Sequence, residues 1–275
     1  MAKVLARCDV GTRGIAECSD GWLCEEGYVS LCPNHPGALA IPEHEYINTG
    51  GYRGIFDLSR HSPAFEDRRD IVLWRGSTTG IGGAISLPGM TADTPGLLPR
   101  TRMCLLLKDV PGCDARIVDV VQAVDILTEV RQLAEAGILG HRIEPEEWLN
   151  VRYHIAVDGN TLAWSSTFMR LLMGCCVLKP DNPDGYRMWY SDRFQPWVHY
   201  VPVAADLSDL VGKIEWCRAN AGDAARIAAA GQALVRDMDV DDELARAAAN
   251  ISRAWHAGAL AGEASPAGRL LAGLP

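Results

Sequence analysis

The feature that most constrains the fold is a set of short, unbroken apolar runs: Ile71-Val72-Leu73-Trp74, Met103-Cys104-Leu105-Leu106-Leu107, Tyr153-His154-Ile155-Ala156-Val157 and Cys175-Cys176-Val177-Leu178-Lys179. A strand with one wet face alternates apolar and polar residues, so a run without alternation belongs in a sheet covered on both sides. The intervening segments supply that cover. Val124 to Ala136 offers Val124, Ile126, Leu127, Val130 and Leu133 to one helical face, with Gly137 as a stop. Ser165 to Met173 reads as a second helix. Asp206 is placed to cap a third helix, with Leu207, Leu210, Val211 and Ile214 behind it, and alanine-rich Asp223 to Arg236 forms a fourth. Strands alternating with helices imply the α/β class and a parallel, Rossmann-like sheet.

The first 66 residues are rich in Gly, Pro and Cys, with strand-like patches at Tyr28 to Leu31 and Glu45 to Asn48. They read as a reduced region that depends on the rest of the chain. The expected organisation is 1–66 as this short N-terminal part, 67–240 as the Rossmann-like domain and 241–275 as a C-terminal helix and tail. Ser77 to Arg102, punctuated by glycine and proline, reads as a long loop, and loops of that length are often functional.

A formal charge of −9 argues against a general nucleic-acid binder, which needs surplus Lys and Arg for phosphates. No apolar run approaches the roughly 20 residues of a membrane-spanning helix. Met1 to Arg7 lacks the apolar segment of a signal peptide. The expectation is a cytoplasmic protein, with at most peripheral contact at the inner face of a membrane. Nine cysteines without a secretion signal read as free thiols. Cys8, Cys18, Cys24 and Cys32, with His35, can be drawn as a zinc site, but their irregular spacing contains no C-x-x-C pair, and no metal is expected. Cys175 and Cys176 read as core.

Arg75-Gly76-Ser77-Thr78 follows an apolar strand. Glycine lets backbone approach a ligand, the two hydroxyls can donate to phosphate oxygens, and a guanidinium can neutralise a diphosphate through paired hydrogen bonds. The loop lacks a Gly-Lys-Ser/Thr ending and is no ATPase phosphate loop. Asp158-Gly159-Asn160 falls at the carboxyl end of a strand, where open α/β sheets place ligands. The turn leads to Ser165 and Ser166 at a helix start, where free N–H groups attract phosphate. Lys179 ends another strand. Gln195-Pro196-Trp197-Val198-His199-Tyr200-Val201-Pro202-Val203 concentrates aromatics, a histidine and prolines. Trp197 and His199 there suit a base or sugar, or equally a core.

Those two blocks, Leu73 to Thr78 and Leu171 to Gln232, resemble glycosyltransferase family 90, which includes protein O-glucosyltransferases, fungal capsule xylosyltransferases and a bacterial branch. The likeness spans about Asp70 to Asp237 and continues through Asp206-Leu207-Ser208-Asp209-Leu210, Ile214-Glu215-Trp216 and Gly231-Gln232. The resemblance implies a GT-B-like fold with a C-terminal donor domain. It also implies inverting, metal-independent sugar transfer, with no cofactor beyond the nucleotide-sugar co-substrate (UDP-glucose or UDP-xylose). The implied acceptor is a surface glycan or a lipid-linked glycan such as lipopolysaccharide, and no nucleic acid is involved. The donor-binding set it points to is Arg75, Gly76, Ser77, Thr78, Gly159, Asn160, Ser165, Ser166, Arg170, Lys179, Trp197 and His199. Animal relatives carry a diphosphate-gripping arginine near the place of Ser166 here, and Arg170 lies one turn further on. Their N-terminal aspartate, the general base, falls on glycine, Gly51, within Tyr46 to Tyr52. Asp158, Glu45 and Asp57 are the substitute acids named for the site, with Glu43 and His44 also nearby. Loss of the base leaves a second reading, a catalytically impaired nucleotide-sugar-binding protein.

Overall fold

The computed structural model describes residues 1–9, 11–21 and 24–261. Two compact units emerge, and neither is continuous in sequence: Gly54–Asn182 with Phe194–Arg236 form one, while Met1–Arg53, Pro183–Arg193 and the chain from Asp237 form the other.

In the smaller unit α1 (Ala2–Leu5) precedes β1 (Ala16–Glu17), β2 (Val29–Ser30) and β3 (Leu39–Ala40), which pair in parallel in that order. They lead into α2 (His44–Asn48). The strand expected at Glu45 to Asn48 is therefore a helix, with Tyr46 and Ile47 buried. The chain returns to this unit for α10 (Val240–His256), whose N-cap Asp239 accepts from the N–H groups of Asp241 and Asp242.

Glu43, at the start of α2, is 1% exposed and bonded to the Tyr52 hydroxyl. Burial raises its carboxyl from 4.5 to about 7; the Tyr52 hydrogen bond opposes the shift and the Glu45 charge adds to it. A raised acid keeps its proton in the folded state where the unfolded chain has lost it. The stability this gives is complete below about pH 4.5 and disappears as pH rises through about 7. The melting temperature should accordingly fall more steeply between about pH 4.5 and 7 in the natural chain than in Glu43→Gln. Parallel curves would refute the assignment.

The larger unit opens with α3 (Arg53–Ser59) and then builds β4 (Arg69–Ser77), α4 (Pro99–Leu107), β5 (Cys113–Asp119), α5 (Ile126–Glu135) and α6 (Pro145–Leu149). It continues through β6 (Val151–Ile155), α7 (Ser165–Leu172), β7 (Cys176–Pro180), β8 (Val201–Val203), α8 (Leu210–Ala219) and α9 (Ala221–Arg236). The five strands are all parallel in the order β5-β4-β6-β7-β8. The apolar runs behave as a doubly covered sheet requires: Val72 and Trp74 face one buried cluster and Leu73 the other.

Three expectations fail for physical reasons. Met103 to Leu107 is the end of α4 and not a strand. Pro99 presets the first helical turn, and the helix is buried almost all round, a state that an apolar run cannot distinguish from a buried strand. The neighbouring strand is the more polar β5, at the sheet edge. On α5 only Leu133 of the expected stripe is buried, while Val124, Ile126 and Leu127 are exposed. Asp206 does not cap α8. Its carboxylate accepts from the Ser208 N–H at 3.0 Å in a local turn, and the helix begins after Asp209.

Candidate functional site

In this strand order the first strand of the larger unit's sheet, β4, has β5 on one side and β6 on the other. The chain thus reverses direction across the sheet between β4 and β6. Helices leave to opposite faces there, opening a crevice beyond the carboxyl ends of the strands, which is where doubly wound sheets hold ligands. Ser77 ends β4, and the Asp158 turn follows β6.

Arg100, from the first turn of α4, lies across this crevice. Its guanidinium donates to the Thr79 hydroxyl, to Ser77 Oγ at 3.3 Å and to the carbonyl of Asp158 at 3.1 Å. Burial lowers its pKa to about 10, and the nearby Asp158 opposes that shift. Sequence reading missed Arg100 because it sits in a glycine- and proline-rich segment with no local pattern; only the topology brings it to the switch point. It also explains Gly159, where a β-carbon would come within 2.6 Å of Thr79 Oγ1 and 2.9 Å of the Arg100 guanidinium.

A cavity of about 410 Å³ opens beside it, lined by Arg75, Gly76 and Ser77 of β4, Asp119 of β5, Arg142, Trp148 and Arg170. That size is within the range of small-molecule sites. Three cations line it, but two are already neutralised. Arg75 bonds Asp114 at 2.6 Å, and Arg142 bonds Asp119 at 2.9 Å. Burial works against the Asp114 charge, yet hydrogen bonding and charge from Arg75 and Arg116 hold its carboxyl below the usual range. Arg170 differs. Its side chain packs over Trp148 at 3.4 Å and reaches Met173 Sδ at 3.0 Å. Its Nε has no hydrogen-bond partner, and it forms no ion pair with a carboxylate among the described residues. Burial pushes its pKa down to about 10. A largely desolvated cation without a counter-ion, beside a cavity, is an open anion position.

Arg170 belongs to α7, whose N-cap Trp164 has φ 47° and ψ −137°. A non-glycine residue in that region is strained, and such strain concentrates at binding sites. Ser165 and Ser166 follow as the first helical residues. Asp158, next along the sheet, turns towards β7 and away from Arg75: Lys179 Nζ lies 3.6 Å from Oδ1, and the Asn182 amide donates to Oδ2 at 2.9 Å. Asn160 lies in the turn between Asp158 and α7.

Four sequence-based assignments change. Thr78 is fully buried, with its hydroxyl donating to the Val121 carbonyl at 2.7 Å and accepting from the Val121 N–H at 2.9 Å, which leaves nothing for a phosphate. Gly76 makes room for the Trp74 ring, which a β-carbon would approach to 2.4 Å. Trp197 and His199 precede β8 and therefore lie at the amino edge of a parallel sheet, opposite the switch-point crevice. Trp197 packs edge-on against Trp216 with Lys213 above it, and His199 Nδ1 accepts from the Gln195 N–H while its ring stacks on Phe194. Of the remaining candidate acids, Glu45 is exposed on α2 in the other unit. Asp57 is exposed and lies 3.9 Å from Arg60. No cluster of His, Cys, Asp or Glu able to hold a metal occurs among the described residues.

The parallel sheet, its switch point and the cavity beside it define a Rossmann-like α/β domain with a cationic cavity. Residues 108–244 match the sequence profile of glycosyl transferase family 90, and the chain belongs to that family. It is 29% identical to Protein O-glucosyltransferase 3 of Rattus norvegicus over 236 residues, covering 73% of this chain and 44% of that protein. The human Protein O-glucosyltransferase 3 is 32% identical over 132 residues, 43% of this chain and 25% of that protein. Uncharacterized protein 035R of Invertebrate iridescent virus 3 is 42% identical over 91 residues, 32% of this chain and 8% of the viral protein. The chain thus spans less than half the length of these curated relatives. Among solved structures, Anabaena HepE in complex with UDP and glucose superposes with a TM-score of 0.45 at 14% identity, over 78% of this chain and 56% of that one. A glycosyltransferase from Rickettsia africae superposes at 0.46 and 9%, over 84% and 64%. At these scores the likeness is loose and carries no part of the assignment. No helix among the described residues is long and apolar enough to cross a membrane.

Proposed function

We propose that this chain binds a nucleotide sugar, UDP-glucose or UDP-xylose, and transfers the sugar with inversion and without metal to a glycan or lipid-linked glycan acceptor, such as lipopolysaccharide, on the cytoplasmic side of a membrane. The observation that carries the reading is Arg170, a cation without a carboxylate partner lining a cavity at the carboxyl ends of β4 and β5. A donor's diphosphate, a dianion that gains further negative charge as it departs, is the partner such a position lacks, and a guanidinium can take the role a metal would play in neutralising it. Membership of a family whose relatives are named O-glucosyltransferases supports a sugar donor.

In this reading the acceptor oxygen forms a bond to the anomeric carbon as the bond to the diphosphate oxygen breaks. The electron pair leaves on the diphosphate, and the hydroxyl proton passes to a carboxylate. Arg170, Ser77 and the start of α7 hold the diphosphate, Ser166 through its hydroxyl because its N–H is bonded to the Ala163 carbonyl at 3.2 Å. Asp158, held by Lys179 and Asn182, accepts from donor hydroxyls or takes the proton itself, with Glu45 and Asp57 as the other acids for that step.

A second reading, binding without transfer, rests on Gly51, where the resemblance places the base. Its φ is +77°, which strains any side chain, and a β-carbon there would lie 3.2 Å from Val240 and 3.5 Å from Tyr46, a tight but not closed fit. UDP release from both donors, measured with and without chelator, separates the readings. The expected result is release that survives EDTA and drops about 100-fold in one of Asp158→Asn, Glu45→Gln or Asp57→Asn. UDP binding with no release on any acceptor glycan favours the binder, and absence of UDP binding overturns both.

A further inference from the structure

We infer that the larger unit has a second anion site at the amino edge of its sheet, opposite the cavity of Arg170, and that it takes a small organic molecule carrying a phosphate or pyrophosphate group. A cavity of about 440 Å³ lies there, and no Asp or Glu among the described residues lines it. Arg68 immediately precedes β4 and Gly174 precedes β7, which fixes the position in a sheet whose strands all run the same way.

Three guanidinium groups line this cavity. Arg68 is 7% exposed, and its Nε and Nη1 donate to the carbonyls of Pro63, Met173 and Gly174 at 2.9 to 3.0 Å. These partners are neutral, and Arg68 has no ion pair with a carboxylate among the described residues. Arg236, at the end of α9, donates to Ser59 Oγ at 3.0 Å and likewise has no carboxylate partner among the described residues. Arg60 stands at the rim, only loosely matched by Asp57 at 3.9 Å. Capping of the α7 carboxyl end accounts for Arg68. It does not account for the convergence of Arg236 and Arg60 on the same hollow, nor for an acid-free wall in a chain of charge −9.

Ligand size follows from the rest of the lining. Ala225, Ala228 and Ala229 of α9, with Phe65 and Pro63 from the segment before β4, form an apolar floor beside the guanidinium groups. A bare phosphate ion would leave that floor uncovered, whereas a phosphorylated molecule of mononucleotide size would cover it. Arg68 is the buried cation of the three, Arg236 and Arg60 being exposed at the mouth, and a guanidinium fork suits a tetrahedral oxyanion. The site is independent of the donor cavity, because no residue is common to the two linings.

The test is calorimetric titration of the full chain with inorganic pyrophosphate and with UMP, in the natural protein, Arg170→Gln, Arg236→Ala, and Arg60→Ala. The last removes a largely exposed side chain that folding hardly needs. Two classes of pyrophosphate site are expected. Arg170→Gln should remove one, while Arg236→Ala and Arg60→Ala should each weaken the other about tenfold and leave the first intact. UMP binding at the second class more tightly than pyrophosphate would identify an organic phosphate as the ligand. UMP confined to the first class would overturn the size argument. A single class that Arg170→Gln abolishes would overturn this site and leave the donor reading standing. Loss confined to Arg236→Ala and Arg60→Ala would overturn the donor reading and keep this one. Should Arg236→Ala fail to fold, Arg60→Ala with hydrogen exchange at residues 59–68 decides: pyrophosphate must slow exchange there.

Discussion

Replacing Arg170 by glutamine is expected to weaken UDP binding about 10- to 100-fold while shifting the melting temperature by no more than a few degrees. The size follows from charge-assisted hydrogen bonds, which contribute about 1.5 to 3 kcal/mol each. The near-neutral stability follows from opposing effects. The mutation removes a cation packed over Trp148 at 3.4 Å, but it also removes a desolvated charge that lacks a counter-ion. Arg75→Gln should weaken UDP binding less, because that guanidinium is already committed to Asp114 at 2.6 Å, and it should cost little stability, because Arg116 at 3.4 Å still attends the partly exposed carboxylate. Titration with UDP and thermal unfolding of both variants measure the contrast. A large stability loss in Arg170→Gln with unchanged UDP affinity would make Arg170 a packing residue and remove the main support for the donor cavity.

That contrast shows what the sequence can convey about such a site. Arg75 follows the apolar run of β4 and sits beside glycine and hydroxyls, so local pattern marks it as a phosphate ligand. Its counter-ion lies on β5, 39 positions later, and no local pattern reveals that pairing. Arg170 carries no motif and becomes informative only when α7 is placed against the ends of β4 and β5. Trp197 and His199 fail for a related reason: a parallel sheet has two edges, and residues that lead into a strand lie on the opposite edge from those that leave one. The runs at Ile71, Tyr153 and Cys175 were legible as buried strands because unbroken apolar composition requires cover on both faces. Met103 to Leu107 meets the same compositional test as a buried helix, and Pro99 is the local signal that separates the two. The long-range entry of Pro183–Arg193 and α10 into the smaller unit has no local signature at all.

That discontinuous unit supplies the largest expected loss of stability. Glu243, in the first turn of α10, is 3% exposed, and Arg193 clasps both its oxygens at 2.9 and 2.8 Å. Arg246 lies further off at 3.7 Å and is half exposed. Arg193→Ala leaves a buried carboxylate with only that distant, solvated cation, at a cost of about 3 kcal/mol, the lower end of the range for breaking a buried pair. The segment 183–193 would then be released from α10, since this is the fork that joins them. Glu243→Gln introduced on top of Arg193→Ala should recover much of the loss, because the stranded charge and not the missing attraction sets most of the cost. Denaturant unfolding of the two single variants and the double variant completes the cycle. A double variant no more stable than Arg193→Ala would show that the arginine contributes by packing, and that the ion pair does not hold this segment in place.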